Sequence, residues 1–135
     1  MNQHDHLAKL RQLAYERQPD MKLLCEILLN IGGDEVVFYF PEPFLVTLLE
    51  FGERFFGGDA RLVVGRDNLC HNNSKYLSKK YHTYKLYHGY ALSDDGLWRQ
   101  HSWCLTKTGN VIETTDICEI YYGTWRSPCL ERCPL

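Results

Sequence analysis

The order of helical and extended patterns predicts an α+β protein. Three observations carry this. Apolar residues recur at helical spacing through the first third of the chain, alternation sets in from about Tyr84 onward, and turn formers separate the later segments. The 135 residues, 44% hydrophobic and 24% charged, suit one domain with a real core. The expectation is a single domain over 1–135: a helical N-terminal segment (1–33), a main body (60–122) and an irregular tail (126–135).

Residues 4–17 are polar and helix-friendly, with Leu7, Leu10, Leu13 and Ala14 at helical spacing. Pro19 breaks this run, and Asp20 is placed to cap the next. Met21–Ile31 then predicts a helix with Leu24, Ile27, Leu28 and Ile31 on its apolar face, stopped by Gly32-Gly33. Val36–Phe40 is β-branched and aromatic and reads as a short buried strand. Pro41 and Pro43 permit a helix over Phe44–Phe56, ended by Gly57-Gly58, with Leu45, Leu48, Leu49 and Phe55 in the core. Arg61–Gly65 suits a short strand, and 70–81 a helix. Strands are expected at 84–92, 97–106, 110–115 and 118–122, with turns at Ser93–Gly96 and Thr108–Asn110. Helices first, one helix at Cys70, then antiparallel strands is the α+β order.

Fifteen Lys and Arg against seventeen Asp and Glu leave a net charge of -2, so no global basic field exists for nucleic acid or an anionic membrane. Six cysteines, Cys25, Cys70, Cys104, Cys118, Cys129 and Cys133, would suit a disulfide framework in a secreted chain. The first residues, MNQHDHLAKLRQL, have no apolar signal-peptide core, and no apolar run approaches the roughly 20 residues of a membrane helix. A cytoplasmic location with reduced thiols is therefore expected. The question becomes which thiol does chemistry.

A thiol nucleophile needs a lowered pKa, which a helix N-terminus supplies through unpaired N–H groups and the positive dipole end. Cys70 sits where loop gives way to helix, with Asp67 or Asn68 as a cap, and shares a face with Asn73, Ser74 and Leu77. A base must follow. In LWRQHSWCL, alternation puts His101 with Leu97, Arg99, Trp103 and Leu105, directing it toward an aromatic interior. A third group should orient the imidazole. If the following hairpin centres on Lys107, Glu113 lies opposite His101. If it centres on Thr108, the two are diagonal and still in reach. A two-residue Thr108-Gly109 turn would instead oppose Asp116 to His101 and turn Glu113 away. Glu113 is thus the favoured acid and Asp116 the reserve. For the oxyanion, the Cys70 backbone N–H and the side chains of Asn68, Asn72 and Gln100 are candidates.

The pattern C…HSW…ETT, over roughly residues 60–122, resembles the Cys, His-x-Trp, Asp-x-Thr signature of transglutaminase-like domains, within the papain-like group of cysteine enzymes. Glu stands where that pattern carries Asp, and Thr114 follows it directly. The resemblance implies a nucleophile-bearing helix packed on an antiparallel sheet, with Cys70 as nucleophile, His101 as general base and Glu113 as orienting acid. It implies acyl transfer through a thioester, to water or an amine, on a peptide, protein or small amide, with no cofactor and no metal.

The other cysteines read as fillers, with Cys104 on the sheet face opposite His101. The absence of any C-x-x-C pair makes a zinc finger weak, leaving a mixed site of Cys118, Cys129, Cys133 and a histidine as the lesser metal reading. Trp103, Tyr84 and His88 are substrate-binding candidates, Trp103 doubling as core. From Asn68 to Ser93 the chain has no acid and interleaves Lys75, Lys79, Lys80 and Lys85 with five tyrosines. The alternative function is accordingly a non-enzymatic module binding a protein or nucleic acid through 75–90. A lysine-covered sheet with half-buried tyrosines is the favoured reading of that stretch, and nucleic acid is disfavoured.

Overall fold

A computed structural model describes residues 3–38, 42–66 and 69–126. Its helices are α1 (Gln3–Arg17), α2 (Met21–Ile31), α3 (Leu45–Phe51) and α4 (Cys70–Lys80). The strands are β1 (Glu35–Val36), β2 (Glu53–Phe56), β3 (Arg61–Leu62), β4 (Lys85–Leu92), β5 (Leu97–Leu105), β6 (Val111–Glu113) and β7 (Ile120–Thr124). The class is α+β, and none of these helices is long and apolar enough to cross a membrane.

The strands form one sheet in the order β2-β7-β4-β5-β6-β3, with β1 parallel to the start of β5. Most pairings are antiparallel; β3 runs parallel to β6. The two edge strands, β2 and β3, are joined only by Gly57–Ala60. That connection spans at most about 18 Å, whereas six flat strands would hold their edges about 24 Å apart. The sheet therefore has to curl.

Curling gives its faces different company. On one face Tyr90, Leu92, Trp98 and Tyr122 pack with Met21, Leu24, Leu28 and Leu48 of α2 and α3. Further along that face, Leu77 of α4 packs on Cys104 and Ile112. The other face closes on itself around Tyr87, Ala91, Trp103, Val111 and Tyr121.

Two departures from the sequence expectation have clear causes. The helix expected over Phe44–Phe56 stops at Phe51, and Glu53–Phe56 becomes β2, paired along β7. Gly52 is the break: a Cβ there would lie 2.2 Å from the Tyr122 ring, whose hydroxyl donates to the Leu48 carbonyl at 2.9 Å. Phe55 consequently reaches the core from a strand, edge-on to Tyr87. The strand expected over Val36–Phe40 is shorter, Glu35–Val36, prolonged by the Val37 N–H donating to the Trp98 carbonyl; Tyr39, Phe40 and Pro41 lie outside the described residues. The tail 127–135, with Cys129 and Cys133, also lies outside them.

Both β-hairpins use three-residue loops ending in glycine. Ser93 and Thr106 each bond across the loop to Leu97 and Asn110, and Gly96 and Gly109 take φ of 83° and 89°. A turn followed by a left-handed residue is the usual three-residue hairpin connection, and glycine enters that region without a Cβ clash. The second loop centres the hairpin on Thr108, pairing Cys104 with Ile112 and Leu105 with Val111. His101 and Glu113 are therefore diagonal neighbours on one face.

Candidate active site

Along one edge, β5 pairs with β1 only at Leu97 and Trp98, and with β6 only at Cys104 and Leu105. Among the described residues no strand covers the stretch between. α4 starts at this gap. Its body lies on the outer, helix-bearing face, where the Ser74 hydroxyl donates to the Ser102 carbonyl and the Cys104 thiol to the Ser74 carbonyl. His101 belongs to the opposite face with Trp103. The gap is what lets Cys70, in the first turn of α4, reach an imidazole beyond the sheet edge.

The site builds outward from Glu113, whose side chain is wholly buried. Oε1 accepts from His101 Nε2 at 2.7 Å and from the Tyr121 hydroxyl at 2.8 Å. Oε2 accepts from the Thr114 and Thr115 backbone N–H groups at 3.0 Å each and from the Thr115 hydroxyl at 3.1 Å. Burial pushes this carboxyl up, but the His101 hydrogen bond and charge, the Thr115 N–H and Tyr121 outweigh it and hold Glu113 below the usual range. Full pairing is what makes a buried carboxylate tolerable.

With Nε2 committed to Glu113, His101 shares the wall of one cavity with Cys70, and the imidazole and the thiol interact there. The ring lies 6.2 Å from Trp103, nearly parallel, and 6.0 Å from Tyr121. Burial alone would drive His101 down; the Cys70 and Glu113 hydrogen bonds and charges raise it to about 9. Burial pushes the Cys70 thiol up, but the His101 hydrogen bond and charge and the Ser102 backbone N–H bring it below the ordinary thiol value. The two shifts run in the direction that favours a thiolate beside an imidazolium. The other described cysteines move the opposite way: burial takes Cys104 to about 12 and Cys118 to about 11, and raises Cys25.

A cavity of about 150 Å³ opens over Cys70 and His101. His88, Gln100 and Asn72 also line it. Asp116, the reserve acid, is exposed and does not bond His101; the hairpin register excludes it. Asn68 and Asp67 lie outside the described residues; the residue preceding α4 is Leu69, which has no capping side chain. Two substrate-binding candidates are displaced. Trp103 is fully buried in the closed face, and Tyr84 packs beside Leu77 and Cys104 away from the cavity. Tyr87 and Tyr90 are core residues too, so the basic-aromatic stretch is not one continuous wall.

A second polar network, absent from the sequence expectation, borders the same cavity. Buried Glu42 accepts from the Phe44 backbone N–H at 2.7 Å and from Gln100 Nε2 at 3.1 Å, and its Oε1 lies 3.1 Å from His88 Nε2. His88 Nδ1 and His71 Nδ1 lie 3.4 and 3.1 Å from the Ser102 hydroxyl. His71, next to Cys70 in the chain, is buried on the sheet side of α4. Nothing local marked Glu42 or Tyr121: each arrives from another element, Glu42 from before α3 and Tyr121 from β7. The only hint in the chain was a carboxylate between Pro41 and Pro43.

A metal reading has one cluster among the described residues, His101, Glu113 and Cys118, with ligand atoms within 4.8 Å of one another. It fits poorly, because both Glu113 oxygens already accept hydrogen bonds and His101 is engaged by Glu113 and Cys70. Comparison of the chain with family models, curated proteins and solved structures finds no match in any of the three.

Proposed function

We propose that this protein is a cysteine-dependent hydrolase or acyltransferase acting on an amide or peptide bond, of the papain-like or transglutaminase-like kind. The observation that carries this reading is Cys70 and His101 lining one cavity, with His101 bonded in turn to a fully hydrogen-bonded Glu113. A half-buried helix-start thiol lowered toward its thiolate beside a raised imidazole is the arrangement of an activated nucleophile.

The Cys70 thiolate attacks the carbonyl carbon, and the C–O π electrons move onto oxygen. As the oxyanion collapses the C–N bond breaks, and the His101 imidazolium gives its proton to the departing amine. A thioester on Cys70 remains. Water, or an amine acceptor, then loses a proton to His101 and attacks the thioester, and the thiolate leaves. Glu113 stays ionised throughout and keeps the imidazole in register, as the acid of such a triad does. The α4 N-terminus, with the Cys70 backbone N–H, favours the negative charge at both stages. This needs no cofactor.

Thiol labelling tests the reading. Cys70 should react with iodoacetamide faster than Cys25, Cys104 and Cys118, and His101→Ala should slow it at least about tenfold at pH 7. Equal labelling of the thiols, or no effect of His101→Ala, would sink the assignment.

A further inference from the structure

Beside the Cys70 cavity runs a larger groove of about 730 Å³, between the segment following β3 and the flank of α4. Leu69 and Asn72 line both, so the two are adjacent. One wall is apolar and exposed: Val63 is 41% accessible and Val64 78%. The other wall presents Tyr76, 63% accessible, with the Lys80 ammonium 6.0 Å from its ring and 5.4 Å from that of Tyr81.

Two further observations point to a ligand. Arg66 and Lys80 line the groove, and among the described residues neither cation has an ion-pair partner; Lys80 lies in the acid-free stretch 68–93, while Asp67, next to Arg66, lies outside the described residues. Thr114, which also lines the groove, is 2% accessible, and its buried hydroxyl has no hydrogen-bond partner among the described residues. A buried polar group without a partner is destabilising, and a polar group bound beside it would remove that cost. Apolar walls, two cations without an ion-pair partner among the described residues and an orphan hydroxyl beside a carbonyl-attacking thiol define the chemistry of a substrate.

Resting on the cysteine-enzyme reading above, we infer that this groove holds the substrate chain next to the bond attacked by Cys70, and that the substrate is an extended acidic-apolar peptide segment rather than a small amide. Apolar side chains of the peptide lie on Val63, Val64 and Tyr76; its carboxylates face Arg66 and Lys80. α4 has 11 residues, so its flank is about 15 Å long, room for about four to five extended residues. A nucleic-acid strand fits less well, because one wall is aliphatic and only two cations serve the groove.

The test separates binding from chemistry. Fluorescence anisotropy of Cys70→Ser protein is measured with three labelled probes: a peptide carrying Leu-Tyr-Glu-Glu, its Leu-Tyr-Lys-Lys counterpart, and a short oligothymidine. The acidic peptide should bind at least about fivefold tighter than the other two, and Arg66→Glu with Lys80→Glu should abolish the preference. Salt gives the same readout without those variants: raising it from about 0.05 to about 0.5 M should erase most of the difference. Thr114→Val should weaken peptide binding without lowering the melting temperature, since it removes a hydroxyl that the free protein leaves unpaired. Equal binding of the three probes, tighter oligothymidine binding, or no acidic-peptide binding at about millimolar concentration overturns the inference. Labelling of Cys70 in the native protein reads the triad independently, so failure of the groove and failure of the enzyme reading are distinguishable.

Discussion

Glu113→Gln removes one charge from the site while nearly preserving its shape. His101 Nε2 and Glu113 Oε1 are 2.7 Å apart. With charge centres about 4 Å apart and an effective dielectric near 20, the attraction is about 4 kcal/mol. At about 1.4 kcal/mol per tenfold, that is a factor of up to about a thousand in the Cys70–His101 ion pair. Glu113 also opposes the Cys70 thiolate directly, which returns part of the loss. The expected net effect is roughly a tenfold to hundredfold drop in iodoacetamide reactivity at pH 6. The pH profile carries the sign. Cys70 is lowered, so its thiolate is lost as pH falls through that lowered value; His101 is raised, so its imidazolium is lost as pH rises through about 9. The native protein should therefore stay reactive across neutrality. The variant should instead rise as a free thiol does, near pH 8.5. Mass spectrometry of Cys70 alkylation between about pH 5 and 9 measures both profiles. The new amide N–H group faces donors on one side, so circular dichroism must show that the variant is folded. A folded Glu113→Gln with the native profile would refute the triad electrostatics.

Tyr121→Phe removes the hydroxyl that donates to Glu113 Oε1 and accepts the Cys118 N–H at 3.0 Å; urea unfolding should show a loss of about 1–2 kcal/mol, and unchanged stability would deny it that bridging role. Glu42→Ala strands His88, Gln100 and the Phe44 N–H in the interior and should cost about 3 kcal/mol or more by the same assay, which a near-native urea midpoint would contradict. Gly123→Ala would place a Cβ 2.4 Å from the His88 carbonyl oxygen and 2.6 Å from the Trp103 ring. It should cost about 1–3 kcal/mol and change tryptophan fluorescence, whereas a native melting temperature would mean the sheet yields there at no cost.

Most element positions were legible because they depend on local periodicity. α2 runs Met21–Ile31 as its apolar spacing and the following glycines require, and α4 opens at Cys70. The second hairpin's register was legible only in part: three registers were open, two of them putting His101 and Glu113 on one face, and the three-residue loop closed by Gly109 selects the one centred on Thr108. The β2 strand was not legible. Glu53–Phe56 continues a helical pattern, and only the Tyr122 ring, from a distant strand, requires the chain to break at Gly52.

The sequence by itself determined a helix beginning at Cys70 and a hairpin after His101 in which Glu113 was favoured over Asp116, because both follow from local spacing and turn residues. Only the tertiary structure decided that the three meet. Cys70 comes to the cavity that His101 lines because, among the described residues, no strand covers β5 between β1 and β6, a gap set by how distant strands share one edge. Glu113 remains a buried anion because Tyr121 and Thr115 complete its hydrogen bonds. Glu42 and the groove beside α4 likewise arise from elements far apart in the chain, brought together by the sheet's curl. Local spacing sets which face a side chain takes; what it meets there depends on the order and curvature of the whole sheet.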